Sequence, residues 1–312
     1  MVRDFVIDCH MHIYPSKALG LEEKEKYEVW EYGRKPNVQL SRFSGDIDDA
    51  LQAIRESGTS KAVIMSHLLV TILNLRLNFE TPKRLSGPRE DAGVEAKIAQ
   101  MLHDSNVSIC KLARNHSELV PFVIIDPHTM TSDALEAELR ELVTTHCARG
   151  VKLHPVLQQF FPNDRRMWPI YRACSELGVP ILSHSGATRG PEQYAEPRAF
   201  IEVLQQFPRL TLILAHLGGA AWQQTLAVAR EYQNTYFDCS EIIEWATAPF
   251  APTLHELAQL IKGIGPERVI MGTDFPWYDL DRTIGQVKSL PILSEEEKQG
   301  ILGANASQIL GI

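Results

Sequence analysis

Short apolar runs recur along the chain, each bounded by turn-forming residues and followed by a longer stretch with polar and apolar positions mixed. They occupy residues 5–7, 62–65, 120–125, 150–153, 179–182, 210–214, 235–237 and 268–271. Runs this short, rich in β-branched residues, predict strands buried on both faces. The intervening stretches change period. Residues 46–56 place Ile47, Ala50, Leu51 and Ile54 at helical spacing, and residues 132–144 do the same with Leu135, Leu139, Leu142 and Val143. Residues 164–177, 197–206, 222–232 and 253–262 read similarly, and residues 294–310 predict a final helix with Ser294 as its N-cap.

Eightfold strand–helix alternation predicts parallel strands joined by right-handed crossovers. Eight such units close into a barrel, so the expected fold is α/β: a distorted (β/α)8 TIM barrel forming one domain over residues 1–312. A doubly wound open sheet is the competing architecture. It usually has a Gly-rich phosphate turn after its first strand, whereas here Cys9-His10-Met11-His12 comes next and no glycine occurs before Gly20. Residues 13–45 and 68–91 interrupt the rhythm. Both leave from C-terminal strand ends, so they are expected either to wall the catalytic face or to make surface and oligomer contacts.

Composition narrows the function. The 312 residues are 44% hydrophobic, enough for a large core, and carry 31 basic against 39 acidic side chains, a formal charge of −8. No basic stripe is present, which argues against nucleic acid as a partner. The five cysteines are scattered and lack C-x-x-C spacing, so neither a disulfide framework nor a thiolate zinc site is expected. With no apolar leader and no run long enough to span a bilayer, the expectation is a cytoplasmic enzyme without membrane contact, leaving room for a homo-oligomer.

The residues able to do chemistry stand at the ends of the strands. His10 and His12 close the first run, and residues two apart on an extended backbone face the same side. His184 ends the fifth run, His216 comes after the sixth and Asp274 after the eighth. All would meet at the C-terminal end of the barrel, where such folds build their active sites. Taken alone, each is as readily a buried histidine or a turn cap; together they make a nitrogen/oxygen donor set suited to one divalent cation, Zn²⁺ first, with Mn²⁺ or Fe²⁺ as alternatives. Asp274 is the expected proton-moving carboxylate and His216 the adjacent acid/base or electrophile. Lys152, His154, Glu241 and Trp277 fall at the same rim and are expected to touch substrate. Arg189 is placed to clamp a substrate carboxylate. A carboxylated Lys152 bridging two metals is the minority alternative to a mononuclear site. His67 and His128 come after the second and third strands.

Asp8-x-His10-x-His12, the run Gly150-Val151-Lys152-Leu153-His154-Pro155, Pro180-Ile181-Leu182-Ser183-His184, His216-Leu217-Gly218-Gly219 and Gly272-Thr273-Asp274-Phe275-Pro276 occur in an order that resembles the amidohydrolase-related group of the amidohydrolase superfamily. The resemblance implies a distorted (β/α)8 barrel and a mononuclear metal on His10, His12, His184 and Asp274, with a proton-transfer or polarising role for His216. That group includes both hydrolases and non-oxidative decarboxylases, and these five positions do not separate them. The first expectation is a metal-dependent hydrolase of a small carboxylated ester, lactone or amide, using metal-activated water. The alternative is a metal-dependent carboxy-lyase acting on an aromatic or unsaturated acid. A third reading, from another class, is a metal- or ligand-binding barrel without turnover.

Overall fold

A computed structural model describes residues 5–32, 39–77, 92–187, 192–246 and 251–312. Eight strands run in chain order: β1 Ile7–Ile13, β2 Lys61–Ser66, β3 Leu119–Ile124, β4 Gly150–Leu153, β5 Ile181–Ser183, β6 Leu212–Leu214, β7 Thr235–Asp238 and β8 Val269–Ile270. Each pairs in parallel with the next. The seam between β8 and β1 is closed by backbone bonds from Cys9 N to the Met271 carbonyl (3.0 Å) and from His12 N to the Phe275 carbonyl (2.7 Å). The fold is therefore a (β/α)8 TIM barrel, and the open-sheet alternative is excluded.

Strand residues are buried nearly throughout because their two faces pack on different cores. One face fills the barrel: Val63, Met65, Val120, Phe122, Leu182, Ile213 and Ile270 pack together there. The other meets the helices. Ala62 and Ile64 pack on Ala50, Ala53 and Ile54 of helix Ile47–Ser57, and Val151 and Leu153 share a cluster with Leu135 and Leu139 of helix Ser132–Thr144. Burying both faces is what makes the runs read as uninterrupted apolar stretches.

The helix signals hold in detail. Asp46 caps Ile47–Ser57 by accepting from Asp49 N, and Gly58 ends that helix at φ +69. Ser294 caps Glu295–Gln299 in a reciprocal box with Glu297. The expected final helix is interrupted by a π turn, Gly300–Ala304, before Asn305–Leu310 completes it. Among the described residues five helices are not anticipated by the periodicity: Lys17–Tyr32, Leu69–Leu77, Ala92–Asn115, Pro155–Gln158 and Leu280–Ser289. The first interrupting stretch carries helix Lys17–Tyr32. The second begins with helix Leu69–Leu77, and its residues 78–91 lie outside the described residues. Among the described residues no helix is long and apolar enough to cross a membrane.

One irregularity sets the active end. Ile7 and Cys9 pack inside the barrel with Val63 and Met65, whereas Met11 and Ile13 pack outside with Ala62 and Ile64. The register shows why: Asp8 pairs with Ala62 and Met11 with Ile64, three residues of β1 against two of β2. This bulge inverts the pleat. Past it, the apolar residues face out, and His10 and His12 take the inward positions.

Candidate active site

The mouth of the barrel gathers most of the expected residues. Asp274 Oδ1 lies 3.1 Å from His12 Nε2 and 3.3 Å from His10 Nε2, and donor atoms of these three side chains all fall within 4.8 Å of one another. His10 Nδ1 is hydrogen-bonded to Asp238 Oδ2 at 2.9 Å. A carboxylate accepts only, so it fixes the proton on Nδ1 and leaves the Nε2 lone pair facing Asp274. Lys152 Nζ donates to that lone pair at 2.6 Å.

His216 stands beside this group, its ring 5.3 Å from that of His10. Its Nδ1 lies 3.2 Å from the Ser240 carbonyl oxygen, 2.9 Å from Ser240 Oγ and 3.5 Å from Glu241 Oε2. Its Nε2 lies 3.2 Å from His184 Nδ1. His184 in turn stacks on His154, with centroids 4.0 Å apart and planes 6° apart. The expected fourth ligand is thus at the mouth but outside the tight three-donor group, engaged with His216 and His154. Trp277 packs against the rings of His67 and Tyr14. Arg189 lies outside the described residues. His128 is elsewhere, bonded to the Gln159 carbonyl oxygen and to Arg166.

Asp238 is the functional candidate that sequence reasoning missed. One oxygen holds His10; the other accepts from the backbone N–H of His216 (3.2 Å) and of Ser240 (2.8 Å), and from Ser240 Oγ. It therefore links the expected metal ligand to the expected acid/base. A signal existed: Asp238 is the last residue of β7, where an acidic side chain at a C-terminal strand end invites a functional reading.

Burial sets the protonation states. It pushes His10 down to about 4, assisted by Lys152, and holds His184, His154 and His67 well below the ordinary imidazole range. Burial also lowers His216, against the pull of Asp238 and Asp274. Neutral imidazoles with free lone pairs are what a metal requires. Burial raises Asp274, but His10 and His12 outweigh it and keep the carboxylate ionised. Lys152, wholly buried, is pushed down to about 8 despite Asp274, Asp238 and Glu241. Two inward imidazole nitrogens, one ionised carboxylate oxygen and a carboxylate-oriented tautomer fit a divalent cation.

The backbone is strained where these groups sit. His216 (φ 60), Leu217 (φ 48), Glu241 (φ 61) and Asp274 (φ 60) are non-glycine residues in the left-handed region, at about 1–3 kcal/mol each. Gly272 is held by close approach: a Cβ there would come within 2.8 Å of His10 Cβ and 3.2 Å of Ser240 Cβ. Gly272→Ala is expected to destabilise the fold by about 1–3 kcal/mol through overpacking, read as a lowered urea midpoint with an unchanged slope.

The amidohydrolase family model matches residues 7–312. Over 347 residues the chain is 23% identical to 2-amino-3-carboxymuconate-6-semialdehyde decarboxylase of Dictyostelium discoideum, covering 99% of this chain and 92% of that protein. The 2,6-dihydroxybenzoate decarboxylase of Rhizobium superposes with a TM-score of 0.69 at 14% identity, covering 99% of each chain. Dihydroxybenzoic acid decarboxylase of Polaromonas, solved with bound manganese and the inhibitor 2-nitroresorcinol, superposes with a TM-score of 0.68 at 13% identity, covering 99% of this chain and 97% of that one. With a match from the first strand to the last residue, over a barrel whose mouth gathers histidines and aspartates, this chain belongs to the amidohydrolase family.

Proposed function

We propose that the protein is a metal-dependent non-oxidative decarboxylase of an aromatic or unsaturated acid. The observation that carries this reading is the end-to-end similarity to a decarboxylase of a carboxymuconate semialdehyde. The dihydroxybenzoate decarboxylases of the same fold support it. It replaces the hydrolase expectation, which rested on ligand types that the two reactions share.

His10, His12 and Asp274 would hold the cation, with His184 the further candidate ligand at the same mouth. The metal, Mn²⁺ or Zn²⁺, would supply a positive centre that fixes and polarises a substrate oxygen. The chain's own residues do the rest. Asp238 keeps the His10 proton on Nδ1, so that Nε2 stays an electron-pair donor. Lys152 donates to that lone pair; were a cation held there instead, the Lys152 ammonium would be available to pair with the substrate carboxylate. Burial favours the neutral His216 ring, so the imidazolium forms only in the reacting complex, by taking up a solvent proton beside Glu241 and Asp238, and it gives that proton to the ring or alkene carbon bearing the carboxylate. The carbon–carboxylate bond then breaks, its electron pair restores the π bond that took up the proton, and CO₂ leaves. One proton is consumed per CO₂ formed, and solvent returns it to His216. Burial of the site removes water that would otherwise stabilise the reactant carboxylate.

Protein loaded with Mn²⁺ or Zn²⁺ should release CO₂ and the matching decarboxylated product, one to one, from a panel of hydroxybenzoates and unsaturated dicarboxylic acids. Turnover of lactones, esters or amides with no CO₂ from that panel would restore the hydrolase reading. Asp238→Asn should weaken metal binding by about 10–100-fold, measured by chelator competition. An unchanged affinity would show that Asp238 does not orient a metal ligand.

A further inference from the structure

Beside the metal donors, several polar atoms are sealed from solvent yet have no hydrogen-bond partner. Among the described residues they include both ring nitrogens of His67, the Tyr14 hydroxyl and His12 Nδ1. His67 is 8% exposed and Tyr14 2% exposed. They form one contiguous group: the His67 ring lies 4.3 Å from that of Tyr14, 5.2 Å from that of His12 and 5.2 Å from that of Trp277. Leaving a buried polar group unsatisfied is unfavourable, because it loses its bonds to water and gains none in return. The rest of the mouth behaves oppositely, since His10, His216 and Asp238 are all partnered. Unmet bonding capacity concentrated at one side of the centre marks a place where a ligand's polar group completes the set.

We propose that His67 and Tyr14, walled by Trp277, form a recognition subsite for a neutral hydroxyl group on a flat phenolic acid. The phenolic-acid class rests on the decarboxylase reading above; the subsite itself rests on the unpartnered atoms. A neutral imidazole at His67 offers one N–H and one lone pair, and the Tyr14 phenol also both donates and accepts. A hydroxyl, which donates and accepts at once, complements this set. A second carboxylate does not: it brings no proton to donate, and Asp274 lies close enough to act electrostatically on both His67 and Tyr14. The indole of Trp277 and the rings of Tyr14 and His67 supply aromatic faces against which a flat ring would stack.

The experiment compares 2-nitroresorcinol with 2-nitrophenol, two flat probes that differ by one hydroxyl, titrated against Mn²⁺-loaded protein by absorbance. The wild type should prefer 2-nitroresorcinol. His67→Phe and Tyr14→Phe should each reduce that preference by about tenfold, while His67→Gln, which restores a donor and an acceptor, should recover part of it. Tyr14→Phe removes one oxygen and keeps the ring, so it tests the idea even if His67→Phe folds poorly. A preference unchanged in the folded variants, no preference in the wild type, or failure of both probes to bind would each overturn the subsite; an unchanged preference would assign these atoms to bound water. CO₂ release separates the two ideas. A lost preference in protein that forms no CO₂ keeps the subsite and removes the decarboxylase, whereas CO₂ formation with an unchanged preference does the reverse.

Discussion

Asp274→Asn is expected to strip the protein of its metal and of its turnover. Asparagine is the informative replacement because Asp274 sits at φ 60, where Asn is tolerated far better than Ala. It keeps the shape and removes the charge that faces His10 Nε2 and His12 Nε2. Metal content should fall from about one ion per chain to a small fraction, and kcat/KM by about 10³-fold or more, the scale of losing several kcal/mol of charge stabilisation. Elemental analysis and the CO₂ assay read the two effects separately. Full metal occupancy in a correctly folded Asp274→Asn protein would remove this carboxylate from the ligand set.

His216→Asn should split those effects. His216 also has a positive φ, so the same residue choice limits backbone strain. Its ring touches Ser240, Glu241 and His184, and it stands outside the group of His10, His12 and Asp274, although it also comes within 4.8 Å of Glu241 and Asp274. Metal content should therefore persist while kcat falls by about 10²–10⁴-fold, the usual loss when a positioned proton donor is removed. Turnover within a few fold of wild type would take His216 out of the proton transfer. Parallel loss of metal would instead make it a ligand.

The family resemblance already gives these two residues different roles; the distances behind the different outcomes come from the structure. As letters in the sequence, His184, His216 and Asp274 are equivalent: each is a polar residue at the end of an apolar run. The structure separates them, putting Asp274 against His10 and His12, and His184 between His216 and His154. It also brings in Asp238, which the apolar run 235–237 leaves out because the strand's last residue is an aspartate that breaks the pattern. Tyr14 is a similar case: in sequence it is one aromatic at the head of a polar stretch, and its unpartnered hydroxyl becomes meaningful only beside His67.

Sequence alone determined the architecture and the end of the barrel that carries chemistry. Eight short runs buried on both faces, separated by amphipathic helices, are compatible with few topologies, and the polar residues terminating them fall at one rim. That information is local, written in a period of two or 3.6 residues. The sequence pattern did not determine which way β1 presents its histidines. Ile7, Cys9, Met11 and Ile13 alternate without a break, which by the pleat alone would put all four inside the barrel and both histidines outside. The bulge opposite β2 reverses this. Its position comes from how β1 meets its neighbours, through Asp8 bonded to His10 N and to Thr273 and through Cys9 and His12 bonded across the seam. Contacts between residues 265 positions apart leave no mark on local periodicity, so the inward aim of His10 and His12 was decided only when the barrel closed.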